Sequence, residues 1–384
     1  MKRSTDRILT THCGSLARPK DLLDMLKAKF TGESYDHDTY ARRVRSAVAE
    51  VVRKQVESGI DIPTDGEQGK PGFFAYVSER LTGLTPKPGA RFTLFEAEVA
   101  AFPEYYEQYL SRAMLGGAAV PMVPLACTGP VSYRGHEAVR SDIDNLKAAL
   151  EGLTPEEVFM PAVAPRGVGR NEYYRTEEEY LYAVAEALHT EYQAIVDAGF
   201  IVQVDDPFLT DVYSYSPLSA PERRKTAEMY VEALNHGLRG IPSEKVRFHT
   251  CYGINEGPRV HDAPLKDIVD VMLKVNAGAY SFEAANARHE HEYHVWEHVK
   301  LPEGKVLIPG VVTHASNIVE HPELIAERIT RYAKLVGREN VIAGTDCGFS
   351  SQATYNPEVH PTVVWAKFQA MAEGARLATE QLWP

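Results

Sequence analysis

The chain has 384 residues, 44% of them hydrophobic and 24% charged, the balance of an ordinary soluble globular protein. Its 53 acidic against 41 basic residues give a formal net charge of −12, which argues against nucleic acid or an anionic membrane as the main partner. No apolar run reaches the roughly 18–20 residues needed to cross a bilayer, the charged start Met1–Arg7 is no secretory signal, and four cysteines make no disulfide scaffold, so a cytoplasmic protein with reduced thiols is expected.

Along the chain, the run from Ile8 to Leu16 reads as an extended segment laid beside the main sheet. Short β-rich apolar runs follow at Gly59–Pro63, Val120–Leu125, Glu157–Ala162, Phe200–Val204, Val246–Phe248, Ala279–Phe282, Val306–Val312 and Asn340–Ala343. Between most of them lie helical patterns, at Tyr40–Glu57, Thr176–Ile195, Pro221–His236, Leu265–Val275, Pro322–Val336 and His360–Ala378. The clearest of these opens on Thr176, placed to cap the first turn. Strands alternating with helices predict a parallel sheet, and eight strands are the number that closes a (β/α)8 TIM barrel. The Phe- and Tyr-rich stretch 84–114 interrupts the alternation after the first strand and reads as a helical insert. Tyr105, Tyr106 and Tyr109 are expected to pack within it. The expected organisation is one α/β barrel domain over residues 1–384, with an N-terminal extension and this insert.

Polar residues break the strand pattern at one end of each proposed strand. Asp65 and Glu67 follow the first, Asp205 and Asp206 close the fourth, and His249 and Cys251 close the fifth. Glu283 closes the sixth, Thr313, His314 and Ser316 follow the seventh, and Asp346 and Cys347 follow the eighth. In a parallel barrel these are all C-terminal strand ends, the face on which active sites are built. Any one of them is readable as a turn former; their concentration on one face is informative.

In His249-Thr250-Cys251 an extended backbone points the imidazole and the thiol to the same side. Most such triplets are accidental. A carboxylate from the next strand and a thiol from the one after it would complete four N, O and S ligands, a set that suits Zn²⁺. No close pair of Cys-x-x-Cys knuckles is present, so a catalytic metal fits better than a structural one. Two thiolates and one carboxylate would leave the zinc centre with a charge of about −1, a poor Lewis acid for hydrolysis but one that holds an incoming thiol as a nucleophilic thiolate. That favours S-alkylation.

His249-Thr250-Cys251-Tyr252, Ser281-Phe282-Glu283 and Thr345-Asp346-Cys347-Gly348-Phe349 resemble the zinc-binding motifs of the cobalamin-independent methionine synthase superfamily. So do Gly14-Ser15, Asp65-Gly66-Glu67-Gln68, Gln203-Val204-Asp205-Asp206-Pro207 and Val319-Glu320-His321-Pro322-Glu323, in the same order along the chain from about residue 8 to 376. The resemblance implies a (β/α)8 barrel in which His249, Cys251, Glu283 and Cys347 hold zinc. It also implies that Ser15, Glu67 and Asp205 bind the amino-acid part of a homocysteine-like thiol, two carboxylates facing one ammonium group. The resemblance extends to the catalytic half alone of the double-length synthases. In their strand-seven motif Ile-His-Ser-Pro the histidine donates a proton; here the run is Thr313-His314-Ala315-Ser316-Asn317. The run Asn286 to Glu292 is similar to short members such as the epoxyalkane:coenzyme M transferases.

The function expected from these residues is a zinc-dependent transfer of a methyl or alkyl group to a small thiol. His314, or Asp206 nearby, is the candidate for protonating the leaving atom. Opening of an epoxide by the same thiolate is the alternative within transferases; a zinc-dependent C–S lyase and a non-catalytic thiol-binding relative are the alternatives from other classes. Arg166 and Arg170 read either as surface arginines or as an anion pocket for a substrate tail. His289, His291, His294 and His298 read as a solvated helix start, and Cys13 and Cys127 as buried small residues. Monomer and homo-oligomer both stay open.

Overall fold

A computed structural model describes residues 1–90, 95–113, 117–214, 217–253 and 256–384, and among these residues nine strands order the fold. They are β1 (Leu84–Pro86), β2 (Leu125–Cys127), β3 (Phe159–Val163), β4 (Arg170–Asn171), β5 (Ile201–Asp205), β6 (Val246–His249), β7 (Ala279–Phe282), β8 (Val306–Val312) and β9 (Gly344–Thr345). Six of them form one parallel, curled sheet in the order β3-β5-β6-β7-β8-β9. Every residue of β3, β5, β6, β7 and β8 is buried. Such strands are continuous apolar runs because helices cover the outside while the inside is filled by side chains. Parallel register also requires a long crossover between neighbours, and the helices Glu177–Asp197, Ala220–Gly237 and Pro322–Val336 supply it.

Local chemistry explains these helices. Thr176 accepts the Glu179 N–H at 3.0 Å, and Ser219 with Glu222 forms a reciprocal capping box, so orphan donors of the first turn are satisfied. Pro322 stands at the first helical position, where its missing N–H costs nothing. The pattern Leu265–Val275 gives a broken element instead: a 3₁₀ turn at Leu265–Asp267, then one helical turn at Val269–Met272. Helices at Lys20–Thr31 and His136–Ala149 lie outside the periodic stretches singled out in the sequence.

Two strand assignments need correction. The run Val120–Leu125 does not enter the main sheet; only Leu125 is extended, and β2 pairs antiparallel with β1 and parallel with β4 in a separate three-stranded sheet. The N-terminal run is more than an extension beside the sheet. Thr10 bridges Ala343 and Thr11 bridges Ile62, both in parallel sense. An apolar β-rich run of five or six residues carries no signal that distinguishes a barrel stave from a small surface sheet. Leu125 is only partly buried, as befits a strand with one covered face.

The insert holds short helices at Glu96–Ala101 and Pro103–Arg112. Phe95, Tyr106 and Tyr109 make its own small core, and Tyr105 stacks on Tyr109 with centroids 5.7 Å apart. Part of the stretch 84–114 falls outside the described residues. Among the described residues no helix is long and apolar enough to span a membrane.

Candidate active site

The C-terminal ends of the strands are held in step by main-chain hydrogen bonds that continue past them. Ala164 N–H donates to Asp205 O at 3.1 Å, Asp206 to His249 O at 2.8 Å, Thr250 to Ser281 O at 3.0 Å and Asp346 to Val312 O at 3.1 Å. A cavity of about 890 Å³ opens above these ends. Ser15, Glu67, Asp205, His249, Cys251 and Cys347 all line it, with Arg166 on a side wall and Arg170 at the rim.

One ligand atom from each of His249, Cys251 and Cys347 falls within 4.8 Å of the others. The two sulfurs lie 3.2 Å apart, well beyond the roughly 2.05 Å of a disulfide. His249 Nδ1 is oriented by Ser281 Oγ at 3.2 Å and Cys13 Sγ at 3.6 Å, whereas its buried Nε2 has no hydrogen-bond partner. Buried polar nitrogens are almost always satisfied, so this orphan fits an absent cation. Burial, aided by the charge of Arg247, pushes the His249 pKa down to about 3, which keeps the imidazole in its ligating, neutral form. The Cys347 thiol is pushed well up by the neighbouring Cys251 sulfur and by burial. Gly348 lets this loop press on the N-terminal run, since a Cβ there would collide with Ser15 Oγ.

Glu283 is not in that trio. Its oxygens accept Tyr252 N–H at 2.8 Å and Asn286 Nδ2 at 2.8 Å and pair with Arg259 at 3.2 Å. It groups with His314 and Asp346, each offering an atom within 4.8 Å of the others. His314 is buried behind the cavity wall and does not line the cavity; burial lowers its pKa to about 4. Asp206 is also buried away from the cavity. Its carboxylate accepts Leu209 N–H at 3.1 Å and so caps the helix Phe208–Ser214. Burial raises its pKa to about 6.

Glu67 and Asp205 form the second centre. Gln203 Nε2 donates to Asp205 Oδ1 at 2.7 Å and to Cys13 O at 2.7 Å, tying the carboxylate to the N-terminal run. Glu67 sits at φ 57°, a left-handed conformation costly for a non-glycine residue. Arg18 holds it there: its guanidinium donates to Glu67 O at 2.8 Å, Ser350 O at 2.8 Å and Lys70 O at 3.1 Å. Glu67 Oε2 is buried without a hydrogen-bond partner and faces the Arg18 guanidinium at 3.9 Å. Burial raises the pKa of both acids, with Asp65 adding to the rise at Glu67 and the charge of Glu67 helping to take Asp205 well above its ordinary value. A cation placed between these two buried carboxylates would offset part of the cost of their burial.

Arg166 is half-buried and turned onto Tyr230, whose hydroxyl accepts its Nε–H at 2.9 Å. Arg170 is exposed and paired with Glu172 at 2.7 Å. His291, His294 and His298 are solvent-exposed as expected, but His289 is buried, stacked on Tyr252 with centroids 4.1 Å apart and bonded to Asp262 and Glu292. Cys13 and Cys127 are buried. Four site residues escaped sequence reasoning: Arg18, Arg247, Asp211 and Glu358. Arg247, a cation in the otherwise apolar run Val246 to Phe248, was the one visible signal. It donates to Thr11 Oγ1 at 2.8 Å and to His12 O beneath the site.

Residues 162–367, more than half of the chain, match the family model described as "Cobalamin-independent synthase, Catalytic domain". The chain belongs to that family. Among its curated relatives, a methionine synthase of Thermococcus kodakarensis is 24% identical over 379 residues, covering 97% of this chain and 94% of the relative. One from Sulfolobus acidocaldarius is 24% identical over 344 residues, covering 88% and 85%. The fold is that of a B12-independent methionine synthase from Shewanella sp. W3-18-1 solved with selenomethionine: TM-score 0.71 at 18% identity, over 98% of this chain and 99% of that one. A putative vitamin-B12-independent methionine synthase from Listeria monocytogenes superposes with TM-score 0.66 at 17% identity, over 98% and 99%.

Proposed function

We propose that this protein transfers a methyl group to the sulfur of a small amino-acid thiol of the homocysteine type, with Zn²⁺ as its metal. The observation that carries the reading is the juxtaposition, in one cavity, of the His249, Cys251 and Cys347 cluster with the Glu67 and Asp205 carboxylates. Methionine synthases among the relatives support the same reaction class.

His249, Cys251 and Cys347 would hold the zinc, with Glu283 as fourth ligand once it gives up one of its present hydrogen bonds. When bound, the metal supplies a Lewis acid that keeps a thiol deprotonated and nucleophilic at neutral pH. The chain's own residues do the rest. Ser281 orients the His249 ring, and a ring so fixed presents one nitrogen to the cavity. Glu67 and Asp205 bind and orient the ammonium group of the thiol substrate by charge-assisted hydrogen bonds. Ser15, which also lines the cavity, offers a hydroxyl to its carboxylate. Arg259, bound to Glu283 and to Asp262 at 2.9 Å, offsets the charge of the buried Glu283 carboxylate.

The framework we infer is a closed (β/α)8 barrel in a single domain spanning residues 1–384. It is supported by the two parallel bridges of Thr10 and Thr11 and by Phe159 N–H donating to Pro63 O at 3.2 Å. These contacts supply two further staves, the N-terminal run and the one around Ile62, between β9 and β3. A cytoplasmic location suits a site that needs reduced thiols.

The test is zinc-edge X-ray absorption on the purified protein, alone and with homocysteine or 2-mercaptoethanesulfonate. Two sulfurs at rest and a third on adding homocysteine support the reading. An absent zinc, or a shell unchanged by either thiol, refutes it.

A further inference from the structure

Under the thiol reading, Ser15 and Glu67 serve two groups on one carbon, the carboxylate and the ammonium of the substrate. They must therefore be registered to one another within about 0.5 Å, although they stand on separate loops. Neither loop is relaxed. Gly14 has φ 121°, and a Cβ there would stand 2.7 Å from Pro161 Cγ. Gly66 and Glu67 are both left-handed, at φ 65° and 57°. Such backbones persist only where their surroundings over-determine them. The loops touch at Leu16, whose N–H donates to Gly66 O at 3.1 Å and whose carbonyl accepts Gln68 Nε2 at 3.2 Å.

A second connection runs behind them through two buried polar side chains that do not line the cavity, His12 and Gln55, the latter on the helix His37–Glu57. Gln55 grips Thr64 at both backbone groups. Its Oε1 accepts Thr64 N–H at 2.9 Å, and its Nε2 donates to Thr64 O at 2.8 Å and to Val51 O at 3.1 Å. These partners fix which end of the amide is oxygen. The same Oε1 lies 2.7 Å from His12 Nε2, so the imidazole carries its proton on Nε2. Nδ1 is then a bare acceptor, and it takes Gly14 N–H at 3.2 Å. Burial lowers the His12 pKa to about 3, which keeps the ring neutral and this polarity fixed. Beyond Thr64, Asp65 Oδ1 accepts Glu67 N–H at 2.9 Å. One unbroken path thus joins the turn before Ser15 to the turn that carries Glu67. An aromatic ring would serve equally well between Phe159 and Phe368, the rings His12 packs on; the path uses the two nitrogens.

We propose that His12 and Gln55 are positioning residues for the amino-acid end of the thiol: together they set the spacing of Ser15 and Glu67, and with it the preference for a thiol that bears an α-amino acid. This rests on the thiol reading above and extends it to residues that touch no substrate. Their loss should loosen the hold on the ammonium and carboxylate groups. It should leave the metal cluster and the grip on a bare thiol as they are, because neither side chain bonds to His249, Cys251 or Cys347. A receptor displaced by about 1 Å loses up to about 100-fold.

The test is calorimetric titration of the zinc-loaded protein with homocysteine and with 2-mercaptoethanol, which has the sulfur but neither charged group. Wild type is compared with His12→Asn and His12→Gln. Asparagine keeps an acceptor near the place of Nδ1 but does not reach Gln55; glutamine keeps a donor near the place of Nε2 but leaves Gly14 N–H without its acceptor. Both variants should bind homocysteine about 10- to 100-fold more weakly, with 2-mercaptoethanol within about twofold of wild type and zinc content unchanged. Equal weakening of the two thiols, or zinc lost with them, would make the pair a plain core element and overturns the proposal. A wild-type measurement covers variants that do not fold. In ¹⁵N-histidine NMR at pH 7, His12, assigned through its contacts with Phe159 and Phe368, should be neutral and protonated at Nε2. A proton on Nδ1, or on both nitrogens, breaks the path at Gly14 and overturns the proposal as well. Wild type that does not prefer homocysteine over 2-mercaptoethanol refutes the thiol reading itself; a preference that both variants keep refutes the positioning role alone.

Discussion

The Asp346 carboxylate accepts the Asn286 backbone N–H at 2.9 Å and its side-chain Nδ2 at 3.0 Å. Its other oxygen accepts Ala284 and Ala285 N–H, each at 2.7 Å. One residue before Cys347, it therefore fastens the loop that follows β7, and Asn286 in turn holds Glu283. Two strands' ends, each with a candidate ligand, are locked to one another through this carboxylate. Gly310 makes room for it, since a Cβ there would overlap Asp346 Oδ1.

Asp346→Asn places an amide NH₂ against these donors and should destabilise the fold by about 1–3 kcal/mol, the cost of leaving buried donors unsatisfied. It should also weaken zinc retention, because Glu283 loses its support. Chemical denaturation with metal analysis of the same sample checks both. Loss of stability with unchanged zinc content would mean that the loop is held by other contacts.

Cys251→Ser and Cys347→Ser should each lower bound zinc from about one ion per chain to below about 0.1 after dialysis against a mild chelator, since a hydroxyl is a far weaker zinc ligand than a thiolate. The fold should persist, as the sheet is built from strands buried independently of the site. Elemental analysis alongside far-UV circular dichroism reads this. Retained zinc in either variant would remove the thiol pair from the metal centre.

Glu67→Gln and Asp205→Asn should raise the KM for homocysteine roughly 10- to 100-fold, the span of one charge-assisted hydrogen bond in a buried site. A thiol lacking the amino group should be far less affected. The free protein should instead gain stability above the ordinary carboxylate range in either variant. Both carboxyl pKa values are raised in the fold, so the folded state binds protons that the unfolded state has lost. Stability from this pair is thus full below the ordinary carboxylate pKa and declines as pH rises through the raised folded values. Thermal melts at pH 5 and pH 8 with and without homocysteine separate the two effects.

How much of this was legible beforehand follows from what each residue does alone. His249, Cys251 and Cys347 were readable because they interrupt or end apolar runs with side chains that have no packing reason to be there. Glu67 and Asp205 were placed by resemblance, and the structure brings them to one cavity. Asp206 and His314 also stand at strand ends, yet the first caps a helix and the second is buried behind Glu283; strand-end position alone does not separate a residue facing the cavity from one facing its wall. Val120–Leu125 misled because a short apolar run reads the same in a barrel and in a surface sheet. The N-terminal run misled in the opposite direction, since residues that precede the alternation, Thr10 and Thr11, make parallel bridges to Ala343 and Ile62. Arg18 acts almost wholly on backbone carbonyls, a role without any sequence pattern.

His289 offers a separate test of the charge network behind the site. Burial opposes its charge, but hydrogen bonds to Asp262 at 3.2 Å and Glu292 at 2.7 Å outweigh that cost and raise its pKa to about 9. A histidine raised in the fold contributes stability that is complete below the unfolded pKa near 6.5 and is lost as pH climbs through the folded value. The expected outcome is a melting temperature that falls between pH 7 and about pH 9.5 in the wild type, with a shallower fall in His289→Gln. Asp206, raised to about 6, has largely titrated before this window opens; Asp211 and Glu358, raised to about 7, titrate in its lower part in both proteins alike, and burial moves the Cys13 thiol up to about 12, beyond it. Parallel slopes in the two proteins would show that His289 is neutral in the fold and that Asp262 is balanced by Arg259 and Arg288.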